Sequence, residues 1–238
     1  MNNFELASKC IGIALNHKTL YVLGGIGFPM TATMKRRCME QYSYNAKRSK
    51  YINAATAETF GFDCVGIIKS ILWGWNGDKN AVYGGAKYAS NGVPDIGADY
   101  MITLCGGQST DFSNIEIGEA VWKKGHIGVY IGNGLAVECT PAWDNKVQIT
   151  AVANIAKSKA YNNRTWTKHG KLPWVKYFPV GDINFDGRVT SEDARLALRA
   201  SVGSEKLTEA QKLAADTDGD NKITAADARD ILRKAVKK

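Results

Sequence analysis

The chain predicts an α+β body of about 180 residues followed by a small all-α module. In the body, helix-like apolar spacing alternates with short β-branched runs punctuated by glycine. The clearest case is GHIGVYIGNGLAVE, which reads as two strands joined by a Gly-Asn-Gly hairpin turn. In the tail, a twelve-residue pattern occurs twice, 34 positions apart, and each copy runs into apolar residues at helical spacing (ARLALRASVG and ARDILRKAVKK).

Taken in order, MNNFELASKCIGIALNHKT has the spacing of an amphipathic helix. It lacks a basic start, an uninterrupted apolar stretch and a small-residue cleavage site, so a protein made in the cytoplasm without a signal peptide is expected. Tyr21-Val22-Leu23-Gly24-Gly25-Ile26-Gly27 is a short apolar run ending in glycines. Residues 28–60 follow as an insertion, basic in its middle (Lys35, Arg36, Arg37, Lys47, Arg48, Lys50). It reads either as a wall flanking a cleft or as a solvated excursion. Gly61-Phe62-Asp63-Cys64-Val65-Gly66 then opens the helix-like IIKSILWGW. The stretch KYASNGVPDIGADYMITLCGGQSTDF carries turn-forming dipeptides and predicts loops, and Ile117–Trp122 predicts a strand before the hairpin. Trp166, Pro173 and Trp174 close the body. The expected boundaries are 1–177 for the body, 178–180 for a short link and 181–238 for the tail module. No segment is long enough to span a membrane.

Charge divides unevenly. Residues 1–180 hold 20 Lys+Arg against 12 Asp+Glu, and residues 181–238 hold 11 against 11. A basic body suggests an anionic partner, but no aromatic-interleaved basic stripe or zinc spacing points to nucleic acid. The five cysteines (Cys10, Cys38, Cys64, Cys105, Cys139) are scattered and odd in number, which does not read as a disulfide framework.

Cys64 stands where the apolar helix begins, and a helix N-terminus favours a thiolate through its dipole and free N–H groups. A histidine on a neighbouring strand can take the thiol proton and return it to a leaving amine, provided a third polar group fixes the ring. Glu138 lies twelve residues after His126, across the hairpin, and even spacing on paired strands can put both on one face. Cys64, His126 and Glu138 thus form a candidate nucleophile–base–orienter set. A lone strand histidine and a buried free cysteine are otherwise ordinary core features.

The ordered set YVLGG, GFDCVG, GHIGVYIGNG and VE resembles the NlpC-type family of papain-like bacterial cell-wall cysteine peptidases over residues 15–177. The resemblance implies a cysteine-bearing helix packed on an antiparallel sheet, with Cys64 as nucleophile, His126 as base and acid, and Glu138 as orienter. It places Tyr21 and Asp63 where the family contacts substrate. It implies hydrolysis of stem-peptide amides in peptidoglycan, commonly between γ-D-glutamate and the diamino acid, with no catalytic cofactor. Absence of a signal peptide would then suit a phage lysin released onto the wall. Alternatives on the same fold are an N-acetylmuramoyl-L-alanine amidase and an inactive wall-binding protein. The chain departs from the family in three ways: Val65 replaces the usual serine, Glu138 stands where histidine, asparagine or glutamine is more common, and residues 28–60 separate the tyrosine and cysteine motifs.

The repeated tail patterns are DINFDGRVTSED and DTDGDNKITAAD. Asp182, Asn184, Asp186 and Asp193 recur as Asp216, Asp218, Asp220 and Asp227, at loop positions 1, 3, 5 and 12. Calcium is a hard cation taking roughly 6–8 oxygens, and such loops supply them from these positions and from the backbone carbonyl at position 7, here Arg188 and Lys222. Gly187 and Asn221, at position 6, both tolerate the left-handed turn such a loop needs. Two calcium ions are expected. A duplicated loop–helix unit with aspartate at position 12 resembles a dockerin, which implies a cohesin domain as partner. Positions 10 and 11, which help select that partner in the family, are Ser191-Glu192 and Ala225-Ala226. Calcium acting only as a staple for the small module is the other reading.

Overall fold

The computed structural model describes residues 1–237, which form two compact units. One is Lys9–Trp174; the other joins Met1–Ser8 to the chain from Val175 onward. The division at 174/175 lies three residues before the expected link, and the first eight residues group with the tail.

In chain order the elements are α1 (Asn3–Asn16), β1 (Lys18–Tyr21), β2 (Ile26–Pro29), α2 (Ala32–Gln41), α3 (Ser43–Ala46), α4 (Ser49–Ala54), β3 (Thr59–Phe62), α5 (Cys64–Leu72), α6 (Ala98–Leu104), β4 (Gly106–Ser109), β5 (Ala120–Lys123), β6 (His126–Gly132), β7 (Leu135–Thr140), β8 (Lys146–Val152), β9 (Asn163–Arg164) and β10 (Lys168–Lys171). The tail adds α7 (Ser191–Ser201), α8 (Glu209–Ala215) and α9 (Ala225–Val236).

The body is α+β. A seven-stranded sheet runs β4-β10-β5-β6-β7-β8-β9, antiparallel except for the final β8–β9 pair. A smaller sheet of order β1-β3-β2 pairs β1 with β3 in parallel. Every residue of α5 is buried, Lys69 and Ser70 among its mostly apolar side chains, and it packs against β2, β6 and β7. Its first turn comes so near the β1–β2 loop that a Cβ on Gly66 would lie 1.8 Å from the Gly25 carbonyl oxygen. Only glycine permits that approach, which fixes the height of Cys64 over the sheet.

Two regions differ from expectation. Residues 28–60 are an ordered layer in which α2, α3 and α4 lie between β2 and β3. Fully buried Asn45 anchors it, accepting from Leu23 N–H at 3.0 Å and donating to the Leu23 and Cys38 carbonyls at 2.9 and 3.0 Å. The stretch expected as loops contains α6 and β4. Ala98, Met101 and Ile102 form the buried stripe of α6, while β4 is a glycine-rich polar edge strand without apolar alternation. Among the described residues no helix is long and apolar enough to cross a membrane.

The second unit packs Ile183, Ala194, Ala197, Leu207, Ala215, Ala228 and Ile231 into one core. Thr190 and Thr224 cap α7 and α9, and in each capping box the reciprocal residue is the position-12 aspartate, Asp193 or Asp227. The second loop is also preceded by a helix, α8, capped by Thr208 and Gln211. The loop-plus-exiting-helix picture therefore holds for the first repeat only. Within this unit Asn2 bridges Lys176, Asn3 exchanges hydrogen bonds with the Phe178 backbone, and the Phe4 and Phe178 rings stack on Phe185 at 5.9 and 5.6 Å.

Candidate active site

Asp63 caps α5: one carboxylate oxygen accepts from Gly66 N–H at 2.6 Å, the other from Gly24 N–H at 2.9 Å. The cap ties the β1–β2 loop to the helix start, so Cys64 takes the first helical position. Burial, then the Asp63 carboxylate, pushes the Cys64 thiol up to about 12, against opposing pull from the Ile127, Val65 and Cys64 backbone amides. Helix α5 packs on β6, the strand that His126 opens. A resting thiol that keeps its proton needs a base at hand.

The β6–β7 register sets Gly128 opposite Glu138, making His126 the diagonal same-face neighbour of the carboxylate. His126 Nε2 lies 2.6 Å from Glu138 Oε2. With Nε2 engaged, Nδ1 is the nitrogen left to serve the thiol. Glu138 is fully buried and has further donors: Thr150 Oγ1 at 2.7 Å, Arg164 Nε at 3.1 Å from each oxygen, and Arg164 Nη2 at 2.8 Å. Burial alone would raise the carboxyl group, but hydrogen bonds and charge from His126 and Arg164 hold it below the ordinary range. Trp166 stacks on the imidazole with ring centroids 5.4 Å apart and planes 7° from parallel.

Tyr21 is buried beside Cys64 and Asp63; burial first, then those two groups, raises its hydroxyl. The insertion reaches this point through Arg48, which donates to the Tyr21 carbonyl at 2.9 Å and hydrogen-bonds Asn145. Its guanidinium lies 5.2, 5.3 and 5.8 Å from the Tyr21, Tyr44 and Tyr51 ring centroids. A cavity of about 560 Å³ is lined by Gly24, Tyr42, Asp63, Val65, Lys69 and Asp95 among others; it reaches the flanks of Cys64 through Asp63 and Val65, but Cys64, Tyr21 and His126 do not line it. Val65 makes apolar the wall that a serine would make polar.

Of the five body residues expected from sequence, His126 and Glu138 are in contact, Tyr21 and Asp63 lie next to Cys64, and the packing of α5 on β6 and β7 relates the two groups. Arg164, Thr150 and Asn45 are additions that no local pattern marked, while Arg48 stood out only as one of a basic run and Trp166 only as a boundary aromatic. The other histidines have structural surroundings: His17 meets Phe60 and Trp75 edge-on, and His169 is buried against Glu119 and the Asp111 carbonyl. All five cysteines are free.

In the tail the two loops share three equivalent backbone-to-carboxylate hydrogen bonds. Asp193 Oδ1 accepts from Ile183 N–H and Asp227 Oδ1 from Thr217 N–H, at 2.8 and 2.9 Å. Asp182 Oδ2 accepts from Gly187 N–H and Asp216 Oδ2 from Asn221 N–H, each at 2.9 Å. Asp186 and Asp220 both take the amide at position 7, of Arg188 and Lys222, at 2.8 Å. The turn residues adopt left-handed backbone, Gly187 at φ +100° and Asn221 at φ +63°. Single carboxylate oxygens of Asp216, Asp218 and Asp227 lie within 4.8 Å of one another. Burial, together with neighbouring carboxylates, raises Asp182 and Asp216 above the ordinary range. Gathered like charges with hard oxygen donors are the chemistry a divalent cation neutralises, so the residues fit calcium.

Among solved structures the chain resembles the P60 domain of an antigen from M. avium subspecies paratuberculosis, with 16% identity and a TM-score of 0.38; the match covers 74% of this chain and 96% of that one. No curated protein gives a match. Residues 180–236, which hold both acidic loops and the helices leaving them, match the family described as Dockerin type I domain.

Proposed function

We propose that the body is a thiol hydrolase cutting stem-peptide amide bonds of bacterial peptidoglycan, with the bond from γ-D-glutamate to the diamino acid as its target. The observation that carries the reading is the joint placement of Cys64 at the head of α5, against β6, and the 2.6 Å His126–Glu138 contact beside it. His126 Nδ1 accepts the thiol proton as sulfur adds to the scissile carbonyl. The imidazolium then gives that proton to the leaving amine as the C–N bond breaks, leaving a thioester. Water deprotonated by His126 adds to the thioester and releases the carboxylate product and the thiol. Backbone N–H groups at the start of α5 supply donors for the oxyanion. Tyr21 and Asp63, next to Cys64, would contact the substrate. A net positive body suits an anionic wall polymer.

The tail is proposed to bind two calcium ions and to dock onto a cohesin domain. Asp182, Asn184, Asp186 and Asp193 would hold one ion, and Asp216, Asp218, Asp220 and Asp227 the other, with the Arg188 and Lys222 carbonyls at position 7. Bound calcium would neutralise the carboxylates and stabilise the loops. The family match supports the partner, as do two equivalent apolar pairs exposed on α7 and α9: Leu198 with Val202, and Leu232 with Val236.

The test of the reaction is mass spectrometry of fragments released from purified peptidoglycan by wild type and by Cys64→Ala. New amine ends on stem peptides, absent with the variant, are expected. Intact stems released from muramic acid would make it an amidase, and no release from several wall types would refute hydrolysis.

A further inference from the structure

A buried carboxylate against imidazole stabilises the imidazolium, yet a base already carrying its proton cannot take one from a thiol. The third partner of the cluster bears on this conflict. Arg164 sits in the two-residue strand β9 and directs Nε and Nη2 at both oxygens of Glu138. Its guanidinium lies 4.5 Å from the Trp143 ring centroid and 6.0 Å from that of Trp166, the ring that also stacks on His126. Trp143 holds φ +56°, a left-handed conformation unfavourable for a bulky residue, and in it covers the guanidinium. The Glu138 side chain is wholly out of solvent and that of Arg164 is 16% exposed, so their charges act on the imidazole at short range and with reduced screening.

We propose that Arg164 is a positioning residue of the active site: it offsets the charge of Glu138, so that a carboxylate can orient His126 without locking it in the protonated form. This rests on the reading of His126 as the catalytic base. Other charged or titratable groups face the imidazole region from each packed element. Cys64 and Asp63 stand at the head of α5, with Tyr21 beside them; Lys123 is opposite His126 on β5; Asp99 of α6 accepts from Gly125 N–H; and Cys139 follows Glu138 on β7. Among the described residues Glu138 is the one hydrogen-bonded to the ring, and Arg164 is paired with it.

The experiment uses the full chain with calcium and the Cys64→Ala background, following each imidazole by NMR from pH 4 to 10. The His126 signal is identified by its loss in His126→Gln. Arg164→Met should raise the His126 midpoint by about one to two pH units, because an unopposed carboxylate then faces the ring. Glu138→Gln should lower it, and Glu138→Gln/Arg164→Met should sit above Glu138→Gln alone and below Arg164→Met. The double variant removes both charges and so leaves no buried charge unpaired, which keeps the comparison available if Arg164→Met does not fold. An unchanged midpoint in folded Arg164→Met, or identical midpoints in Glu138→Gln and the double variant, would overturn the proposal. The titration needs neither substrate nor thiol. The expected shifts without wall hydrolysis by wild type would uphold the charge balance and sink the hydrolase reading, while hydrolysis with unmoved midpoints would do the reverse.

Discussion

Replacing Asn45 by alanine tests how the insertion serves the site. The side chain is fully buried and makes three hydrogen bonds to the backbone of Leu23 and Cys38. The Cys38 carbonyl also accepts from Tyr42 N–H, so it keeps a partner. The Leu23 N–H and carbonyl lose theirs. Two stranded backbone groups and the space left by the amide should cost about 2–4 kcal/mol, at roughly 1–2 kcal/mol for each group. For a unit of this size the thermal midpoint should fall by about 6–12 °C. Leu23 precedes Gly24, whose N–H binds the cap of the nucleophile helix, so kcat/KM on stem peptides should fall as well. Differential scanning calorimetry in saturating calcium measures the first effect and steady-state hydrolysis the second. Asn45→Asp, which sets carboxylate oxygens against two carbonyls, should do at least as much harm at neutral pH. A midpoint for Asn45→Ala within about 1 °C of wild type would refute the anchoring argument.

Other outcomes follow from charge and metal. Calcium chelation should remove the far-UV helical signal of α7 and α9 while a cooperative transition of Lys9–Trp174 persists; an unchanged spectrum would deny metal-dependent folding of the tail. Glu138 is held below the ordinary carboxylate range, so its contribution to stability is present above that range and lost as pH falls through its depressed value. Urea midpoints measured from pH 7 to pH 3 should therefore drop at the acid end in wild type and drop less in Glu138→Gln. Burial and neighbouring carboxylates raise Asp182 and Asp216, so protons compete with calcium as pH falls toward and below their raised values. Titration calorimetry should show weaker calcium binding at pH 5 than at pH 7, and equal affinity would contradict the assignment of those ligands.

The parts legible in the sequence are those whose chemistry is local. A capping aspartate, a cysteine and an apolar run announce α5; a Gly-Asn-Gly turn sets a register that brings Glu138 to His126; and oxygen side chains at fixed intervals mark the acidic loops. What escaped depends on distant chain. Arg164 reaches Glu138 from a strand of two residues, too short for any periodicity. Trp166 looks like an ordinary boundary aromatic until the sheet brings it over His126. Asn45 belongs to a polar segment whose composition suits solvent equally well, and its burial comes from pairing with Leu23, 22 residues earlier. Helix α6 was masked by surrounding turn dipeptides, although its buried stripe is regular.

At loop position 4 the two repeats part company. Gly219 takes the left-handed conformation at φ +79° without cost, whereas Phe185 adopts φ +59°. A side chain there loses roughly 1–2 kcal/mol, which stacking on Phe4 and Phe178 can offset. The opening residues of the chain are thus a brace for one metal loop, placed some 180 residues away in sequence. An excised tail starting at Val175 would carry one loop in its native support and the other without it. Its two ions would then bind unequally, an artefact of where the cut was made. Tags or deletions at the amino end would register in the calcium titration before they registered anywhere else.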